Sequence, residues 1–143
     1  MSAWRLVRNR VLVTVHEGLF RASRGRLGSR IVGMDVIMIT TVGARSQRRR
    51  RTMLTVPVRD RGSLVLVASN GGNPREPDWC ANLRVHPEVE VTEHGRTTTM
   101  VANVLPSQER ARLWPQVVSV YGGYAAYQER SPREIPLVRL TRR

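Results

Sequence analysis

With 143 residues and 41% hydrophobic side chains, the chain makes a single domain able to bury a core without disulfides or metals, and it is too apolar for a disordered protein. Its 24 basic residues are all arginine and face 11 acidic ones, a formal charge of +13. That sign favours phosphate-bearing ligands, nucleic acid or an anionic membrane surface, and disfavours cationic partners; the absence of lysine points to codon bias in a GC-rich genome rather than to a demand for guanidinium.

In chain order, Trp4, Val7, Val11, Val15 and Leu19 form one apolar stripe at steps of three and four, predicting a helix within residues 3–23. Arg5, Arg8, Arg10, Arg21 and Arg24 lie off that stripe, so the helix either packs on the domain or lies on anionic lipid. His16 and Glu17 interrupt the apolar run and no small-residue cleavage site follows, which argues against a signal peptide and for a cytoplasmic chain. "DVIMITTVG" (35–43), "TMLTVPV" (52–58) and "SLVLVAS" (63–69) read as strands, with Pro57 marking an edge or bulge. "DWCANLRVH" reads as a short helix capped by Asp78. "EVEVTE" and "RTTTMVANV" form a hairpin about His94 and Gly95. Ser107 is placed to cap a further helix, which Pro115 should kink or divide, and "IPLVRLT" (135–141) is the last strand. About six mostly antiparallel strands with helical additions imply an α+β, mainly β, small closed or partly closed barrel. The division is a basic arm over residues 1–30 and a barrel over 31–143 within one structural domain.

Three stretches carry chemistry. "TTVGARSQRRRRTML" (40–54) has five arginines between Arg45 and Arg51, pinned between two predicted strands, and guanidinium groups suit phosphate and carboxylate oxygens. A solvated turn is as good a reading from charge alone. Nucleic acid is the weaker one, because no aromatic side chains interleave with the arginines as stacking platforms. "VASNGGNPREPDWCANL" ends a strand at Gly71-Gly72, where backbone can approach a ligand closely, and places Trp79 and Asn82 on one side of a short helix. "YGGYAAYQER" sets Tyr121, Tyr124 and Tyr127 three apart, one stripe if helical, able to line a pocket or to pack an edge. Cys80 is alone, and His16, His86 and His94 share no zinc-ligand spacing with it. With no nucleophile–base set and no paired carboxylates, catalysis here would belong to a bound cofactor.

"TTVGARSQRRR", "ASNGG", "PDWCANL", "HPEVEV", "ERARLWPQ", "YGGYAAYQ" and "EIPLVRL", in this order over roughly residues 15–141, resemble the actinobacterial deazaflavin-dependent nitroreductase family, of the F420H2-dependent quinone reductase type. The resemblance implies a split β-barrel related to flavin-mononucleotide-binding barrels. It implies coenzyme F420, an 8-hydroxy-5-deazaflavin with a phospholactyl oligoglutamate tail, as hydride donor to quinones such as menaquinone and to nitroaromatics. It assigns Arg45 and Arg50 to the tail, and the turn serine Ser46 with Thr52, Met53, Leu54, Ala68, Ser69, Asn70, Gly71, Gly72, Trp79 and Asn82 to the coenzyme. Tyr121, Tyr124 and Tyr127 then shape the acceptor pocket, with the tyrosines or Ser69 donating a proton or hydrogen bond; Tyr124 and Tyr127 are the favoured donors. A basic arm over residues 1–24 would bring the enzyme to the inner face of the membrane. The sequence departs from the family at Ala44, Gln47, Arg49, Asn70 and Cys80, where a basic residue, glycine, proline, lysine and aromatic are expected; Arg48, Arg49 and Arg51 are the candidates to replace the lost cations. A non-catalytic F420 or lipid carrier, or a flavin-mononucleotide or haem relative on the same barrel, are the alternative readings.

Overall fold

The computed structural model of the protein describes residues 33–143 and the strand pair Arg30–Ile31; the helix expected within residues 3–23 lies outside the described residues. Among the described residues eight strands run β1 (Arg30–Ile31), β2 (Met34–Val42), β3 (Arg49–Val56), β4 (Val58–Asp60), β5 (Ser63–Val67), β6 (Glu88–Glu93), β7 (Arg96–Val104) and β8 (Leu137–Arg142). A single 3-10 turn (Asn70–Gly72) and helix α1 (Asp78–Val85) lie between β5 and β6, and α2 (Ser107–Val120) and α3 (Gly123–Arg130) between β7 and β8. All strand pairs among the described residues are antiparallel, in the order β1-β2-β6-β7-β8-β5-β4, with β3 also on β2.

Closure depends on Pro57. β3 pairs with β2 from Arg49 to Val56, and one residue later β4 pairs with β5 from Val58 to Asp60. The strand changes partner at the one residue that has no N–H to lose, as expected of proline in a sheet. Counting β3–β4 as one bent strand and setting the two-residue β1 aside, six principal strands make a barrel. It is zipped at one end by β4–β5 and unzipped at the other, where β3 pairs only with β2 among the described residues. The split is therefore a gap between β3 and the end of β5.

β5 shows why its sequence is an unbroken apolar run. Leu64 and Leu66 enter the barrel core with Ile37, Ile39, Val89, Val91 and Leu140, while Val65 and Val67 face a second core under α2 and α3, with Val117, Tyr124, Ile135 and Leu137. Alternate side chains are thus buried on both faces, each contributing roughly 1.5–3 kcal/mol. Trp79, Cys80 and Leu83 of α1 plug the barrel end next to the split.

The hairpin at His94 and Gly95 forms as expected, with φ of 48° and 77° that give the turn its type I′ twist. Three local expectations are corrected. Asp78 is the first residue of α1, which Pro77 precedes, and caps nothing; its carboxylate takes a hydrogen bond from Arg75 instead. Ser107 likewise starts α2 without capping it and bonds Glu134. Pro115 neither ends nor divides α2, which runs on to Val120. Pro115 and Ala111, the residue whose carbonyl loses its helical partner, are both exposed, so water can take up the open bond. The break comes later, at Tyr121 and Gly122.

Candidate active site: a groove along the split

Along the split lie two adjoining clefts of about 780 and 670 Å3. They share Thr52, Arg75, Asp78 and Trp79, so they form one groove with an inner and an outer chamber.

The inner chamber is floored by Thr52–Thr55 of β3, walled by Ser69–Gly71 and Trp79, and roofed by Tyr121, Tyr124 and Tyr127. Among the described residues β3 pairs only with β2, and its other edge presents here a row of N–H and C=O groups that a flat heterocycle can bond. Gly71, at φ 64°, has nothing within 4 Å of where a Cβ would stand, so backbone is bare on that side. The Ser69 hydroxyl caps no helix N–H.

The tyrosines converge as a three-ring edge-to-face cluster, with centroids 5.1, 6.4 and 6.2 Å apart. They do so from a break rather than a single helix: Tyr121 ends α2, while Tyr124 and Tyr127 belong to α3. A Cβ at Gly123 would overlap the Tyr121 ring, so glycine is what lets that ring lie over the start of α3. The Tyr124 hydroxyl is sealed in, 2.8 Å from Thr55 Oγ1 and 3.6 Å from Met34 Sδ. Burial raises its pKa, against the opposing effect of the Thr55 hydrogen bond. Tyr127 is half-buried, and burial, with a hydrogen bond to Tyr121, raises its pKa as well.

The outer chamber holds the arginine turn. Gly43 N–H donates to the Arg48 carbonyl (2.8 Å) and Gln47 N–H to the Gly43 carbonyl (3.0 Å), closing the loop between β2 and β3. Gln47 sits at φ 59°, the left-handed position where the resembled family has glycine. Asn82 of α1 clamps the turn: its Oδ1 accepts from Ala44 N–H at 2.9 Å, and its Nδ2 donates to Thr41 Oγ1 at 3.2 Å. Arg45, Arg50 and Arg51 line the chamber and make no ion pair with a described residue, whereas Arg49 is committed to Glu90.

Of the residues implied by sequence, all but two of the coenzyme set border the groove. Ala68 is fully buried behind it, and Gly72 packs against the α3 backbone, 2.8 Å from the Tyr127 carbonyl at its would-be Cβ. Asn82 borders the groove but spends its amide within the protein. Sequence reasoning missed Arg75, Asp78, Met34 and Thr55 as lining residues. It also missed Arg133, whose guanidinium donates to the carbonyls of Ala68 (3.1 Å), Ser69 (3.3 Å) and Asn73 (3.3 Å) and so braces the head-side loop from behind. An arginine between two prolines, three residues before an acid, was the available signal for Arg75; Arg133 had none. Behind the same loop the Cys80 thiol is pushed up to about 12 by burial and by neighbouring Glu76.

Two further pieces of the sequence pattern have structural roles. Arg110 stacks on Trp114 at 4.1 Å and donates to the Gln128 side chain (2.8 Å) and the Ile135 carbonyl (2.9 Å). Gln128 in turn accepts from Ile135 N–H at 2.9 Å, so α2, α3 and the entry to β8 are tied at one point beneath the tyrosines.

The sequence profile of F420H(2)-dependent quinone reductases matches residues 12–142. The F420H(2)-dependent quinone reductase Rv1261c of Mycobacterium tuberculosis is 37% identical over 137 residues, covering 92% of this chain and 91% of that protein. Among solved structures, one titled as an F420-H2 dependent reductase (FDR-A) superposes with a TM-score of 0.65 at 33% identity, over 73% of this chain and 92% of that one. Another, described as a domain-swapped dimer, gives 0.67 at 28% identity, over 97% and 99%. On sequence profile, relatives and split-barrel fold together, the chain belongs to the F420H(2)-dependent quinone reductase family.

Proposed function

We propose that the groove holds F420H2 with its planar head in the inner chamber and its anionic tail under the arginine turn, and that a quinone accepts the hydride beneath the tyrosines. The observation that carries this is the joining of two chemically different chambers, one aromatic with a bare backbone edge, the other lined by Arg45, Arg50 and Arg51, which have no ion pair among the described residues. A tail of one phosphate and several carboxylates needs converging cations, and Arg45, Arg50 and Arg51 supply them. When bound, the reduced deazaflavin supplies a hydride.

The protein's part is placement and a proton. The β3 edge and Gly71 would hold the head by backbone, and Trp79 would wall it. Tyr121 and Tyr127 would stack the acceptor and exclude water. A quinone oxygen gaining charge needs a donor that is protonated at neutral pH, which the Tyr127 phenol is, and its burial favours that neutral form further. Ser69 is a second donor on the opposite wall. Tyr124, whose hydroxyl is already engaged, would shape the pocket instead. The natural acceptor in this reading is menaquinone-like, with nitroaromatics as adventitious substrates. The arginines of residues 1–24 would form a basic arm, outside the barrel of 31–143, that rests on the inner face of the membrane where such a quinone resides. Deletion of residues 1–20 should then lower binding to anionic liposomes, and unchanged binding would remove that step.

The test is a tryptophan-fluorescence titration with oxidised F420, followed by oxidation of the reduced coenzyme with menadione added. Saturable binding with turnover supports the reductase. Binding without turnover supports a carrier on the same barrel, and binding of flavin mononucleotide in preference to F420 would reassign the coenzyme.

A further inference from the structure

We infer that Arg75 is a coenzyme-binding residue held in reserve by Asp78, and that Asp78 acts as a counter-ion which the coenzyme's phosphate displaces. This rests on the reading that F420 occupies the groove. Both side chains border both chambers, at the joint that Thr52 and Trp79 also form. A ligand with its planar head in one chamber and its carboxylate tail in the other must pass its connecting phosphate through that joint.

The pair is built for exchange. Arg75 and Asp78 meet through one contact of 3.1 Å, with side chains 80% and 82% exposed. An ion pair so exposed contributes little, whereas a guanidinium gains more from a phosphate that it can grip with two N–H groups. The Arg75 side chain is also not needed to hold its own loop. Arg75 N–H donates to Asn73 Oδ1 (3.0 Å), and the Arg75 carbonyl accepts from Asn70 Nδ2 (3.0 Å) and from Arg133 (3.5 Å). Position 70 is where the resembled family carries lysine. Here Asn70 has given up the charge and braces the loop, and Arg75, five residues along that loop, brings a cation to the same groove.

The two side chains should therefore act on coenzyme affinity with opposite signs. Oxidised F420 and its riboside lacking the phosphate and glutamates would be titrated against wild type, Arg75→Ala, Arg75→Lys, Asp78→Asn and the double variant. Arg75→Ala should weaken F420 by about tenfold, with Arg75→Lys recovering part of the loss. Asp78→Asn should tighten F420 by roughly threefold, and by less when Arg75 is already alanine. The riboside should bind all five proteins alike. Equal F420 affinity for wild type and Arg75→Ala would overturn the inference while leaving the coenzyme assignment standing. Parallel losses for F420 and riboside would also overturn it, by making Arg75 a structural residue. Failure of wild type to bind F420 would overturn both.

Discussion

Asn82 offers the sharpest test of how the outer chamber is built. Its amide joins α1 to the start of the arginine turn through Ala44 N–H at 2.9 Å and to β2 through Thr41 Oγ1 at 3.2 Å, with the residue 8% exposed. Asn82→Ala removes both bonds, at about 1 kcal/mol each, and strands the Ala44 N–H, for a total cost of about 2–3 kcal/mol. For a domain of this size that is a fall in melting temperature of roughly 6–12 °C. Thr41→Val removes only one of the bonds and should cost about 1 kcal/mol. In the double variant that bond is already gone, so the two costs should fall short of additivity by about 1 kcal/mol. Differential scanning fluorimetry and urea denaturation measure the stability, and F420 titration the affinity, which should drop because Arg45 and Ser46 must be ordered on binding. The tail-less riboside should be indifferent. An unshifted melting temperature for Asn82→Ala would refute the clamp, and an equal loss of F420 and riboside would place Asn82 against the head instead.

Other outcomes follow from the same geometry. Gly123→Ala should leave melting temperature and F420 affinity near wild type, because alanine suits a helix, yet lower kcat/KM for menadione at least fivefold by displacing the Tyr121 ring; unchanged kinetics would mean that ring plays no part with the acceptor. Tyr124→Phe should cost about 1 kcal/mol through the lost Thr55 bond and little activity, whereas Tyr127→Phe should lower kcat by about tenfold or more; the reverse ranking would make Tyr124 the donor. The Cys80 thiol stays protonated in the folded state up to about 12, against 9.0 for a free thiol, so stability is full below pH 9 and is lost as pH rises from there. Denaturant titrations should show that alkaline fall at a slope of up to about 1.4 kcal/mol per pH unit, flattened in Cys80→Ala; an identical slope in both proteins would assign it elsewhere.

What was legible in the sequence was whatever local chemistry decides. β-branched runs marked strands, Pro57 marked the place where a strand gives up a donor, and His94-Gly95 supplied the positive φ that a tight hairpin needs. The Tyr121, Tyr124 and Tyr127 cluster was anticipated by spacing, although the helix it was assigned to is two helices. Pro115 misled because the cost of an unmade helical bond depends on whether its carbonyl faces water, and the sequence does not say which side of α2 that is. Arg133 and Asn82 act by contacts 64 and 41 residues away, with Ser69 and Thr41, so nothing near them in the sequence announces the role. Of the arginines offered as replacements for the lost cations, Arg49 pairs with Glu90 while Arg51 lines the outer chamber, and Arg75, which borders that chamber too, was not among them.

The unpaired edge of β3 has a second consequence, for how copies of the protein meet. The edge of this eight-residue strand that has no partner among the described residues is a template onto which an extended chain, including another β3, could add by backbone hydrogen bonds. Arg50 and Arg51 stand near the beginning of that edge, and in a parallel, in-register encounter each copy would press its own arginines towards a like-charged partner. Arg50 and Arg51, proposed above to hold an anionic tail, would thereby also disfavour that pairing of two empty molecules. Salt, which screens that repulsion, should promote self-association of the empty protein, and a bound coenzyme filling the gap should suppress it.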